Sequence, residues 1–145
     1  MNKLYQTMNK KMLQLRIDAD NGKSRCCWYI EDGMVLATDG YIGYILPERE
    51  CYIHFTEDGH LTRMPVQVRE VLPDNLLILE DLVATPDGMY YKTPDPEIFI
   101  SQKKAELFGK DCEIYSMPKS RGVFVVYYAG LPAGIIMGRK LKKEE

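Results

Sequence analysis

The sequence predicts an α+β fold, an antiparallel sheet carrying two helices on one face. Three observations predict it. Apolar residues recur at helical spacing near the start, a second helix is bounded by Ser101 and Gly109, and the other apolar residues fall in strand-length runs that follow one another through tight turns. Meanders interrupted twice by helices fit an antiparallel sheet rather than a doubly wound parallel one.

In the first helix, expected over Asn2–Arg16, Leu4, Met8, Met12 and Leu15 share a face, with Lys3 and Lys10 nearly opposite. The polar run Asp18–Gly22 ends it and offers the left-handed backbone that a reversal needs. Strands are expected over Arg25–Ile30, Met34–Thr38, Tyr41–Leu46 and Cys51–Phe55, with turns at Glu31–Gly33 and Thr38–Gly40. Val66–Leu72 and Leu76–Val83 are each compatible with a short helix or a strand, because periodicity cannot separate the two at that length. Met89–Lys92 reads as a short strand, and Thr93–Pro96 as a rigid connector. The stretch from about 73 to 96 is therefore an irregular excursion. Ser101 is an N-cap for a helix through Phe108, with Gly109 as its stop. Strands over Cys112–Ser116, Val123–Tyr128 and Ile135–Met137 close the chain.

A chain of 145 residues and 46% hydrophobic content is one domain with a core of ordinary size. No apolar run reaches the about 18 residues that a membrane span needs. The amino terminus is polar, with no apolar signal core. A cytoplasmic protein is the expectation. Cys26, Cys27, Cys51 and Cys112 form no C-x-x-C pair. They read as small buried hydrophobes of a reducing compartment, and neither a metal nor a cofactor is expected.

Several partial motifs dissolve on inspection. Asn21–Ser24 carries the tail of a phosphate-binding loop, but Ile17 stands where its first glycine is needed. Asp18–Gly22 resembles a calcium loop whose glycine comes one position early and whose twelfth position is Tyr29. Ser101 and Lys104 match the S-x-x-K of serine acyl-enzymes without the accompanying motifs, and capping accounts for the serine. His54 and His60 lie in or beside one hairpin; a hydrolase using His54 with an acid such as Asp39 is the weakest of the readings. For Asp39, capping the backbone donors of its own turn is favoured over catalysis.

Charge placement carries the functional expectation. The net charge of −2 argues against a uniformly basic binder, yet Lys3 and Lys10 lie on the first helix and Lys103, Lys104 and Lys110 on or beside the second. Such a stripe suits phosphate backbones without base reading; the bland reading is solvated lysine on ordinary surface helices.

Met34–Tyr41, with its Ala37-Thr38-Asp39-Gly40 turn, resembles the strand and turn of the bacterial sliding clamp, the beta subunit of DNA polymerase III. In that family each domain has a helix leading into antiparallel strands, then a second helix and more strands, with both helices on the concave face of a ring. The resemblance implies a clamp-like domain over 1–145, and Gly134–Gly138 is loosely similar to the family's terminal strand. Ile42 replaces the family's usual arginine, and the chain has one domain where the bacterial subunit has three. A ring would take about six copies. The resemblance implies a non-enzymatic, sliding-clamp-like protein of replication or phage biology, with duplex DNA as partner and homo-oligomer contacts through edge strands. The alternative is a module that binds a replication or phage protein without DNA, through strand edges or the 73–96 excursion.

Overall fold

The apolar stripe of the amino-terminal segment folds as α1 (Lys3–Asp20), burying Met8, Met12 and Leu15. Each such side chain contributes about 1.5–3 kcal/mol by leaving water. The helix runs one turn past the expected end. Gly22, at φ +73°, then stops it: the Gly22 N–H donates to Ala19 O at 3.0 Å and the Lys23 N–H to Asp18 O at 2.8 Å, a Schellman arrangement. The computed structural model describes residues 3–31, 33–55, 68, 71–117 and 119–141.

Three strands follow as an antiparallel meander, β1 (Cys27–Glu31), β2 (Met34–Thr38) and β3 (Ile42–Pro47). After β4 (Leu82–Thr85), β5 (Gly88–Lys92) and β6 (Phe99–Ser101) comes α2 (Gln102–Glu106). A second meander ends the chain, β7 (Cys112–Ser116), β8 (Val123–Tyr128) and β9 (Leu131–Met137). A helix followed by three antiparallel strands thus occurs twice. The two units join where β3 pairs antiparallel with β9, Ile42 opposite Ile136 and Tyr44 opposite Gly134. The six-stranded order β1-β2-β3-β9-β8-β7 therefore has the same helix-linked meander on either side of its middle.

Both faces of this sheet are covered, which is why its central strands are apolar almost throughout. One face, with Trp28, Val35, Tyr44, Leu46, Val126 and Ile136, packs against Met8 and Met12 of α1 and against Ile98, Ile100 and Phe108. Ala105 and Leu107, in and just after α2, join the same cluster, so both helices lie on that face. On the other face Leu36, Ile45, Val125 and Ile135 pack with Val68. A glycine sets the approach of α2. A Cβ on Gly134 would overlap the Phe108 ring, which packs 6.0 Å from the Tyr44 ring.

The fold is α+β, with antiparallel sheets and, among the described residues, two helices, as the pattern predicts. Three expectations are corrected. The sheet is not single, since β4-β5-β6 forms a separate three-stranded sheet; the 73–96 excursion supplies two of its strands, one of them at the expected Met89–Lys92. Cys51–Phe55 is no strand. Its polar groups turn to α1 instead: Glu50 O and the Tyr52 N–H bond the Asn9 side chain, and His54 O accepts from Arg16 Nη1 at 2.6 Å. Leu76–Val83 resolves into an isolated bridge from Leu76 to Tyr115, an extended run, and the start of β4. Most of Val66–Leu72 lies outside the described residues. No helix among the described residues is long and apolar enough to cross a membrane.

Candidate nucleic-acid interface

The Thr38-Asp39-Gly40 turn is built by its own side chains. Asp39 Oδ1 accepts from the backbone N–H groups of Tyr41 at 2.8 Å and Ile42 at 2.9 Å. Thr38 Oγ1 accepts from the Gly40 N–H at 3.0 Å and donates to Ile42 O at 2.8 Å. Gly40 takes φ +95°, which costs glycine little and other residues more. Three of the turn's backbone donors and one acceptor are satisfied in this way, so the motif's residues define the β2–β3 reversal.

This turn lies against α2. Lys104 Nζ is 5.8 Å from the centre of the Tyr41 ring, a cation–π distance. Burial pushes the Lys104 ammonium down from its usual value, and the Asp39 carboxylate opposes part of that fall. Tyr44 beneath is pushed up to about 12, chiefly by burial and further by Asp39. Lys104 therefore differs from the other candidate lysines. Its charge is half-buried and directed at the turn, while Lys3, Lys10, Lys103 and Lys110 are exposed.

Lys3 and Lys110, far apart in sequence, line one groove of about 500 Å³ between the first turn of α1 and the end of α2. Glu106 and Asp111 line it too, so the groove itself is close to charge balance. Tyr128, at the β8–β9 turn, closes one side and meets Tyr5 of α1 edge-on at 6.4 Å. Each meander thus sends a turn aromatic to the opposite unit's helix, Tyr41 to α2 and Tyr128 to α1. Over α1 and residues 102–111 there are seven basic and four acidic side chains, an excess of three positive charges on a chain of net −2.

Other candidates fare differently. The His54 side chain is exposed, and Asp39 is spent on the backbone of its own turn. His60 lies outside the described residues. The four cysteines are free thiols and half-buried rather than fully buried. Burial raises Cys26, Cys51 and Cys112, the last to about 11, so these thiols are poor nucleophiles at neutral pH. Among the described residues no group of three or more His, Cys, Asp or Glu converges as metal ligands do.

Sequence reasoning missed two polar anchors. Asn9 is buried between α1 and the 50–52 segment, and the available signal was its place beside Met8 on the helix's apolar side. Arg121 grips Asp95 with Nε at 2.6 Å and Nη2 at 3.0 Å, tying the β7–β8 turn to the 93–98 connector, a pairing that no local pattern announces. Scans against models of protein families, curated proteins and solved structures find no match for this chain.

Proposed function

We propose that this protein is a non-enzymatic, clamp-like binding protein whose helix-bearing face meets duplex DNA through Lys3, Lys10, Lys103 and Lys110, with Lys104 positioning the Asp39 turn beside them. The contact is electrostatic and reads no bases. One observation carries the reading: two helix-and-meander units place both helices, and an excess of positive charge, on one face of a sheet in an otherwise acidic chain. The turn that resembles the sliding clamp's lies against that face through Lys104. These 145 residues offer one such domain, so surrounding DNA takes several such domains associated through their sheets. The test replaces the four exposed lysines by glutamate and measures binding to a fluorescent duplex. Loss of binding with an unchanged circular dichroism spectrum supports the reading; retained affinity overturns it.

A second reading, a protein-interaction module without DNA, is favoured by the 72–89 stretch, where Leu72, Leu76, Ile78, Leu82 and Met89 are all exposed. Ile78 is 78% exposed. Large apolar side chains gathered in this way mark interaction surfaces.

A further inference from the structure

We propose that the outer edge of β4 is a docking site for an extended segment of a basic, apolar partner protein, which adds to the β4-β5-β6 sheet as a fourth strand. This deepens the interaction-module reading and stands independently of the helix face.

Three observations carry it. First, β4 is the outermost strand of the small sheet, and among the described residues only β5 pairs with it. Edges are ordinarily protected by lysine, proline or a bulge. Leu82-Val83-Ala84-Thr85 has none of these, and its register with β5 is unbroken. Second, a cleft of about 680 Å³ opens against the same strand, lined by Val83, Thr85, Pro96, Phe99, Arg139 and Leu141. Side chains alternate across a strand, so Leu82 and Met89 lie on the opposite face, where both are exposed. An added strand would send alternate side chains into the cleft and onto Leu82 and Met89. Backbone bonds would supply affinity, and the cleft specificity.

Third, charge selects the occupant. Residues 71–92 contain Asp74, Glu80, Asp81 and Asp87 against one cation, Lys92, whose backbone N–H donates to Asp81 O at 2.9 Å, so the stretch is net acidic. The cations of the cleft are already engaged. Arg139 Nη2 lies 3.1 Å from Asp87 and its Nη1 donates to Tyr90 Oη at 2.8 Å, while Lys140 is 3.8 Å from Glu97. Glu80 and Asp81, exposed just before β4, have no ion-pair partner among the described residues. A second copy docking edge to edge would set these acids against one another, so the edge disfavours self-pairing and favours a cationic partner.

The test uses the full chain and a ten-residue peptide alternating Lys and Val, with two further versions methylated on alternate backbone nitrogens, one version for each side of the strand. The unmodified peptide should shift the amide resonances of Leu82–Thr85 and the methyl resonances of Val83. One methylated version should bind at least tenfold more weakly, because methylation removes the N–H groups that face β4, and a Glu–Val peptide should also lose at least tenfold. Equal binding by both methylated peptides, shifts confined to α1 and α2, no binding, or shifts of the Leu82–Thr85 amides on raising the protein concentration without peptide would each overturn the proposal. Failure of DNA binding would leave these results unchanged.

Discussion

Asn9 Oδ1 accepts the backbone N–H of Tyr52 at 2.8 Å, and this bond ties the middle of α1 to the chain that leaves the first meander. The same side chain donates from Nδ2 to Glu50 O at 2.8 Å and to Tyr5 O at 2.9 Å. It is the polar group that the buried side of α1 admits, and its bonds compensate its burial. Asn9→Leu keeps the approximate volume and removes a hydrogen-bond partner from three backbone groups, which should cost about 1–3 kcal/mol in chemical denaturation. An unchanged midpoint would mean that water replaces the amide at no cost.

Gly134 admits the Phe108 ring at the seam between the two units. Gly134→Ala forces Phe108 or the neighbouring backbone of Gly43 to move and should destabilise the fold by about 1–3 kcal/mol, the usual cost of overpacking. The double variant Gly134→Ala with Phe108→Leu should recover part of that loss relative to Phe108→Leu alone. Additive losses in this double-mutant cycle would show that the ring is not the obstacle.

At the β8–β9 turn Ala129 adopts φ +51° and Gly130 φ +79°, the left-handed pair that two-residue hairpins favour. Alanine resists that conformation by about 1–2 kcal/mol. Ala129→Gly removes the resistance and loosens the unfolded chain, so a net gain of a few tenths to about 1 kcal/mol is expected in thermal melts. A lower melting temperature would refute the backbone argument.

The Arg121 guanidinium holds Asp95 at about 2, below the usual carboxylate value, with the Glu97 backbone N–H as a second donor. Because the folded value is depressed, the stability it confers is present above about pH 4 and is lost as pH falls toward 2. The pair is exposed, so the effect is modest. Arg121→Ala should flatten the fall in melting temperature between pH 5 and pH 2. Coincident profiles for the two proteins would show that other carboxylates govern acid unfolding.

Elements fixed by local chemistry were legible in the sequence. The Met8–Met12–Leu15 stripe, the Asp39 turn, the Ser101 cap and the strands Met34–Thr38, Cys112–Ser116 and Val123–Tyr128 all follow from periodicity and capping. What was not legible depends on long-range partners. Cys51–Phe55 has strand composition but finds Asn9 and Arg16 before it finds a strand. Leu82–Thr85 pairs with Gly88–Lys92 across the local Pro86-Asp87 turn, but its place in a separate sheet depends on Phe99–Ser101, which pairs with Gly88–Lys92 from further along the chain. The candidate lysines could be placed on helices, but the separation of Lys104 from the rest required the position of Tyr41, which helical spacing does not contain.

The central claim concerns the helix face and phosphate backbones, and the salt dependence of duplex affinity tests it most directly. Each phosphate neutralised contributes about −0.9 to the slope of log K against log salt, so four exposed lysines predict a slope near −3.6, about −4 in round terms. Affinity should be indifferent to base sequence, and replacing Lys3 and Lys110 by glutamine should reduce the slope by about 2. A steep slope that shrinks in this way is the result the account predicts. A flat salt dependence, or no binding to duplex DNA at low salt, would contradict it.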